Sequence, residues 1–262
     1  MKKVFLQSFL LLALFLFCWF SLAQINWTSI FEVEKSGQEL EEKLGEQLWE
    51  IYSREGREVF NDDIIQSLDT IIHTICHANK IDQESIKLHV LEKDEINAFA
   101  MPNGHLVIYT GLIKASENPE ELAGVISHEI AHIELNHVMK KLAKEMGISM
   151  LISITTGNGG AIAEVAKLLS SSAFDRDQEK AADLQASDYL VNAKIDPKHF
   201  ADFLYRLSLD DPEIMRYITW ISTHPNSNDR AQNIIEYQEG NLVISEPILD
   251  NATWKEIKTL VQ

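Results

Sequence analysis

Five consecutive residues, His128-Glu129-Ile130-Ala131-His132, have the types and the spacing of a hydrolytic zinc site. Residues four apart on an α-helix lie one turn apart on the same face, so both imidazoles reach a single ion. The Glu129 carboxylate lies about 100° around the helix and approaches a water at the metal without displacing it. Zinc accepts neutral imidazole nitrogen and lowers the pKa of its water to about 7. This segment predicts a helix that supplies two zinc ligands and a general base.

A third ligand is expected from another element, because a catalytic zinc normally takes three protein ligands and keeps a fourth position open. Residues 175–192 have a helical pattern, and Glu179 and Asp183 lie four apart on it. We expect Glu179 to bind the ion. We expect Asp183 to accept a hydrogen bond from the far ring nitrogen of a ligating histidine, which fixes its tautomer and strengthens it as a ligand.

The elements that must position these residues follow from the hydrophobic pattern. Asn118-Pro119 has the chemistry of a helix start, and the helical pattern continues from there to the glycine-rich residues 157–160. Alternation and turn residues predict strands near 86–90, 97–101 and 105–109, and further helices are predicted over 38–54, 62–78, 161–171, 175–192 and 197–208. The sequence therefore predicts an α+β fold with many helices around one small antiparallel sheet.

One apolar segment, Met146–Thr156, has no assignment from pattern alone. It is too short to span a bilayer. It belongs either to the hydrophobic core or to a lid over the active-site cleft.

The net charge limits the class of binding partner, and the N-terminal residues predict where the protein is located. The net charge of −17 argues against nucleic acid as a partner, because binding phosphates requires clustered Lys and Arg. A basic start, an apolar run from Phe9 to Phe20 and small residues at Ser21–Ala23 predict a signal peptide over residues 1–23. Residues 24–262 are then expected to form one periplasmic or secreted domain. The alternative is an uncleaved membrane anchor.

Four sequence blocks occur in an order typical of one enzyme family. They are Asn-Ala-Phe-Ala-Met-Pro-Asn-Gly-His at 97–105, His-Glu-Ile-Ala-His at 128–132, Arg-Asp-Gln-Glu-Lys-Ala-Ala-Asp at 176–183, and Thr-His-Pro at 223–225 followed by Arg230. On these blocks the chain resembles the HtpX/BepA-type zinc metallopeptidases, metallopeptidase family forty-eight, over most of residues 38–238. Fewer residues follow Gln238 than one ~34-residue helical repeat needs, so a stand-alone peptidase without the helical-repeat domain of the BepA-like proteins is expected.

The resemblance implies a mostly helical, zincin-like metallopeptidase domain with one zinc ion per chain. His128, His132 and Glu179 match the family's metal ligands, and Glu129 matches its catalytic base. His224 matches a further family block, and two roles stay open for it. It either stabilises the oxyanion of the tetrahedral intermediate or occupies the zinc as a removable ligand that holds the enzyme idle.

The resemblance also bears on the substrate. Asn97–Ala100 is expected either to line the cleft as an edge strand that binds extended substrate, with Asn97, Ala98 and Phe99 as the substrate-binding residues, or to form an ordinary strand. The resemblance favours substrate binding. The expected function is a zinc endopeptidase that acts on misfolded or stalled envelope proteins, with peripheral membrane association as a further expectation. The alternative is a zinc-binding periplasmic chaperone or adaptor with little proteolysis.

Overall fold

The computed structural model of the chain describes residue 12 and residues 33–157, 161–209, 219–238 and 243–261. The predicted signal peptide lies outside these residues except for residue 12. The chain divides into two compact units, Met1–Leu40 and Glu41–Gln262. Of the first unit the structure describes residue 12 and the beginning of one helix, so the fold below is that of the second unit.

Helices make up most of the described chain, and one small sheet lies among them. The helices are α1 (Val33–Tyr52), α2 (Asp62–Asn79), α3 (Thr110–Ala115), α4 (Pro119–Glu134), α5 (His137–Met146), α6 (Ile148–Gly157), α7 (Ile162–Ser171), α8 (Arg176–Asn192), α9 (Lys198–Ser208), α10 (Trp220–Thr223), α11 (Ser227–Tyr237) and α12 (Asn251–Leu260), with a 3₁₀ turn at Gln83–Ser85. The strands are β1 (Arg57–Glu58), β2 (Lys87–Glu92), β3 (Ala98–Ala100) and β4 (His105–Tyr109). The α+β class predicted from the sequence is confirmed.

The sheet has the strand order β1-β2-β4-β3. β1 pairs with β2 in antiparallel fashion. β3 and β4 also pair in antiparallel fashion, as the turn at Asn103-Gly104 between them predicts. β2 and β4, however, run parallel, with Lys87 opposite His105. The expectation of a purely antiparallel sheet is therefore wrong, because β4 returns past β3 and inserts between β3 and β2.

The helix that carries the His-Glu-x-x-His motif begins where the sequence predicts. The Asn118 side chain caps α4 by accepting a hydrogen bond from the Glu121 N–H, and Pro119 occupies its first turn. The helical pattern that continues to residue 157 is not one helix, which corrects the prediction. It is broken at Asn136 and Gly147, which both adopt positive φ angles (53° and 79°), so α4, α5 and α6 are three separate helices.

The hydrophobic core surrounds α4, which packs against α2, α8, α9 and β3. Its contact with α9 is very close: a Cβ atom at Gly124 would lie 2.5 Å from the Phe200 Cβ. Glycine is therefore required at this position for the two helices to pack. The catalytic motif thus lies on a helix that neighbours fix on several sides.

The apolar segment Met146–Thr156 forms most of α6. Leu151 and Ile154 are buried, whereas Ile148, Met150 and Ile152 are between 43% and 60% exposed. The segment is a half-buried surface helix rather than a core helix. None of the helices in the described part of the chain combines the length and the apolar character that crossing a bilayer requires.

Candidate active site

The structure brings the three predicted zinc ligands together in the core. The Nε2 atoms of His128 and His132 are 3.0 Å apart, and both side chains are fully buried. Glu179, on α8, lies beside them, with its Oε1 3.3 Å from His132 Nε2 and its Oε2 3.7 Å from His128 Nε2. α8 reaches this position because it packs along α4.

The chemistry of this donor set suits zinc, which binds imidazole nitrogen and carboxylate oxygen. Burial lowers the pKa of His128 to about 3 and also lowers that of His132, so both rings are neutral, as a metal ligand must be. Burial alone would raise the pKa of Glu179, but the neighbouring His224 and Arg230 hold it well below its usual range. The cluster therefore offers two neutral nitrogens and one carboxylate to a divalent ion.

Asp183 lies behind the cluster, as the sequence predicts for a residue that orients a ligand. Its Oδ1 is 3.0 Å from the Nδ1 of His128, the ring nitrogen that faces away from the other metal-binding atoms. The Arg230 guanidinium holds Asp183 from the other side, donating from Nε to Oδ2 (2.8 Å) and from Nη2 to Oδ1 (2.7 Å). This buried guanidinium also lies 2.8 Å from Glu179 and donates to the His224 carbonyl oxygen (3.3 Å).

Glu129 is fully buried, and each of its carboxylate oxygens accepts one hydrogen bond. The Trp220 indole N–H donates to Oε1 (3.0 Å), and the Ala100 main-chain N–H donates to Oε2 (3.1 Å). Burial raises the pKa of Glu129 to about 7, because water no longer stabilises its charged form. A carboxylate with this pKa can both take up and release a proton near neutral pH.

His224 lies inside the metal-binding cluster. Its Nδ1 is 2.9 Å from Glu179 Oε1 and 3.3 Å from His128 Nε2. Its side chain is fully buried. His128, His132, Glu179 and His224 each offer one ligand atom, and these four atoms lie within 4.8 Å of one another. His224 therefore stands where a fourth protein ligand would stand.

Two residues next to His132 have no role in the sequence prediction. His137 Nδ1 lies 3.0 Å from His132 Nδ1, the ring nitrogen that does not face Glu179. The Phe174 ring packs against the His132 ring, with centroids 4.1 Å apart. Helical periodicity does not indicate the His137 contact, because the left-handed residue Asn136 turns the chain back between the two histidines.

The predicted substrate strand lies at one end of the sheet. Ala98 and Phe99 belong to β3, and Asn97 precedes it. Ala98 is fully buried, and the Phe99 ring packs against Tyr52 (centroids 4.9 Å apart). The last residue of the predicted edge strand, Ala100, contacts the catalytic cluster through its main-chain N–H.

A helical His-Glu-x-x-His motif with a carboxylate from a later helix, in a mostly helical α+β fold, defines a zinc metallopeptidase. Comparison with protein families agrees, since residues 65–238 match the model described as Peptidase family M48. This match covers more than half of the chain. The protein therefore belongs to peptidase family M48, whose members are zinc-dependent metalloproteases.

The chain is similar to several characterised members. It is 29% identical over 182 residues to metalloprotease LoiP of Escherichia coli, covering 66% of this chain and 70% of LoiP. It is 24% identical over 155 residues to the mitochondrial metalloendopeptidase OMA1 of Schizosaccharomyces pombe, covering 58% of this chain and 46% of that protein. It is 26% identical over 194 residues to the beta-barrel assembly-enhancing protease of Escherichia coli, covering 66% of this chain and 38% of that protein. The chain therefore covers less than half of the length of OMA1 and of the beta-barrel assembly-enhancing protease.

Proposed function

We propose that this protein is a zinc-dependent endopeptidase that cleaves unfolded or misfolded envelope proteins. The observation that carries the proposal is the position of the buried Glu129 carboxylate beside the cluster of His128, His132 and Glu179. Hydrolysis of a peptide bond requires a Lewis acid and a general base in the same place. Family membership supports the same chemistry.

We assign the metal to three residues. His128, His132 and Glu179 would hold one zinc ion, with Asp183 orienting the His128 ring. A bound zinc ion supplies Lewis acidity, which polarises a carbonyl group and lowers the pKa of water to about 7. The Arg230 guanidinium keeps Asp183 and Glu179 ionised in the core. The ionised Asp183 can accept a hydrogen bond from His128, and the ionised Glu179 can bind the metal ion.

We assign proton transfer to Glu129. Its carboxylate would take a proton from the attacking water and deliver it to the nitrogen of the leaving amine. The Ala100 N–H and the Trp220 indole hold the carboxylate in one orientation. A pKa near 7 suits a group that must gain and lose a proton in each cycle.

We propose that the substrate backbone pairs with the edge of β3 that faces away from β4. The Asn97 carbonyl accepts from the Tyr109 N–H, and the Met101 N–H donates to the His105 carbonyl, so these residues pair with β4. By the alternation of an antiparallel ladder, the main-chain groups of Ala98 face the opposite side. The predicted substrate-binding set of Asn97, Ala98 and Phe99 thus acts through Ala98, and an extended peptide added there would reach the cleft beside Glu129.

Hydrolysis of unfolded casein by the Glu129→Gln variant tests the proposal. We expect casein cleavage to fall by about 10²–10⁴-fold, the contribution of a general base, while zinc content stays at that of the wild type. Glu134→Gln is a matched control, because Glu134 is an exposed glutamate on the same helix. Equal cleavage by the wild type, both variants and the zinc-free protein would exclude the protease and leave the chaperone or adaptor.

Location and natural substrates are part of the same proposal. Export through a signal peptide cleaved after Ala23 would place the enzyme in the periplasm, and a mature N-terminus at Gln24 is the expected result of N-terminal sequencing. A mature protein that begins at Met1 would make the leader a membrane anchor. Envelope proteins retained by zinc-loaded Glu129→Gln, but not by Glu134→Gln, would identify substrates.

A further inference from the structure

One buried histidine beside the metal-binding cluster, His137, is used neither by the metal set nor by the proton-transfer step. It begins α5 and is only 5% exposed. Its Nδ1 lies 3.0 Å from the Nδ1 of His132, which is hydrogen-bond distance. A hydrogen bond between two ring nitrogens requires one of them to carry a proton and the other to accept it.

The metal-binding cluster determines which of the two nitrogens is the donor. The Nε2 of His132 faces the cluster, 3.0 Å from His128 Nε2 and 3.3 Å from Glu179 Oε1. A nitrogen that binds a metal carries no proton, so the neutral His132 ring then carries its proton on Nδ1. Burial favours the neutral form of His137, which has one acceptor nitrogen. The Nδ1–H of His132 therefore donates to the Nδ1 of His137.

The other histidine ligand has a partner in the corresponding place. The far nitrogen of His128 lies 3.0 Å from Asp183 Oδ1. Asp183 is a charged partner, and the buried Arg230 guanidinium compensates its charge. A neutral imidazole in this place orients the His132 ring without adding another negative charge to the core, where an unpaired charge is costly.

Side chains of α5 and α8 fix His137 beside the helix that supplies the third ligand. The Gln178 side-chain amide donates to the His137 carbonyl oxygen (3.4 Å), and Gln178 directly precedes Glu179 in α8. The Lys144 ammonium of α5 also lies 2.8 Å from Asp175, the N-cap residue of α8. α5 and the start of α8 are thus held together, which keeps the His137 ring in place beside the cluster.

We propose that His137 is a positioning residue for the metal site: it accepts the Nδ1 proton of His132 and so holds that ring with Nε2 directed at the metal. This hydrogen bond is compulsory only in the metal-bound protein. Without a metal, His132 can instead carry its proton on Nε2 and donate to Glu179. The inference rests on the proposed function, because it requires zinc at His128, His132 and Glu179.

The zinc affinity of His137 variants tests the inference. His137→Leu removes the acceptor, and we expect the zinc dissociation constant, measured by competition with a chelator, to rise by about 10–100-fold. His137→Asn places an amide oxygen near the position of Nδ1, and we expect it to keep the zinc affinity of the wild type. His105→Leu is the matched control, because His105 is also buried and contacts another histidine through Nδ1 (His89 Nε2, 2.9 Å), outside the site.

Urea unfolding of the metal-free variants separates positioning from a merely structural role. We expect His137→Leu and His105→Leu both to lose stability, because each removes a buried imidazole, whereas only His137→Leu binds zinc more weakly. Wild-type zinc affinity in His137→Leu would overturn the inference, and so would equal weakening in His137→Asn and His137→Leu. Failure of the wild type to bind zinc would overturn the metal assignment instead, so the two ideas fail separately.

A second measurement covers the case in which His137→Leu does not fold. NMR of the zinc-loaded wild type with isotope-labelled histidine locates the ring protons. The inference requires a proton on His132 Nδ1 and a coupling across the hydrogen bond to His137 Nδ1. A proton on His137 Nδ1, or the absence of a coupling between the two nitrogens, would contradict it.

Discussion

The guanidinium of Arg230 is the main electrostatic support of the site, and its removal is the most informative structural perturbation. Arg230 is buried and makes two aligned hydrogen bonds to Asp183 (2.8 and 2.7 Å). A third contact, of 2.8 Å, reaches Glu179. Arg230→Ala leaves both of these buried carboxylates without their cation.

The expected magnitude follows from this geometry. Removing one partner of a buried ion pair typically destabilises a protein by about 3–5 kcal/mol, because the remaining charge stays desolvated. Here two carboxylates lose the same partner, so we expect the metal-free variant to lose at least ~3 kcal/mol of unfolding free energy. Arg230→Lys should recover part of this loss, because the charge remains while the forked geometry is lost.

Urea unfolding of the metal-free wild type and variants measures the effect. Arg206→Ala is the control: Arg206 also forms a fork, with Glu121 (2.6 and 2.7 Å), but its side chain is 24% exposed and it lies outside the site. We expect Arg206→Ala to lose less stability and to keep the zinc affinity of the wild type. Arg230→Ala should also bind zinc more weakly, because Asp183 is then no longer held against His128.

This reasoning would be refuted if Arg230→Ala lowered the unfolding free energy of the metal-free protein by less than ~1 kcal/mol and kept the zinc affinity of the wild type. Such a result would mean that the carboxylates of Asp183 and Glu179 become protonated or reach water at little energetic expense. The buried cation would then have no part in preparing the metal site.

Three further predictions follow from the same contacts. Asp183→Asn should lower zinc affinity or activity by about 10–100-fold, as changes to residues that orient a ligand usually do, and zinc titration measures it. If His224 is a removable ligand that holds the enzyme idle, His224→Ala should raise casein hydrolysis; a fall of ~10²–10³-fold would instead assign His224 to the oxyanion. Burial lowers the pKa of His105 and of His137 to about 4, below the unfolded value of about 6.5, so the unfolded chain binds more protons between these values. Thermal unfolding of the metal-free protein should therefore show stability falling as pH drops from 6.5 towards 4, and a flat profile would contradict it.

Local sequence predicts the elements better than their pairing. The limits of β4 and the start of α4 at Asn118-Pro119 agree with the structure, because alternation and capping are properties of neighbouring residues. The parallel pairing of β2 with β4 was not predictable in this way. It depends on where the chain returns after the β3 hairpin, which turn residues alone do not determine.

The same distinction applies to the site. The spacing of four residues within α4 and within α8 indicates which side chains share a face, and the structure brings these faces together. The Trp220 and Ala100 contacts with Glu129 join segments distant in sequence, and no periodicity indicates them. Contacts of this kind follow from tertiary packing alone.

Zinc stoichiometry in the His132→Ala variant tests the central claim most directly. We predict one zinc per chain in the wild type by elemental analysis, with affinity lower by orders of magnitude in His132→Ala, because binding depends on the complete ligand set. His73→Ala, which removes an exposed histidine of α2, should bind zinc like the wild type. One full equivalent of tightly bound zinc in His132→Ala would contradict the assignment of the metal to His128, His132 and Glu179.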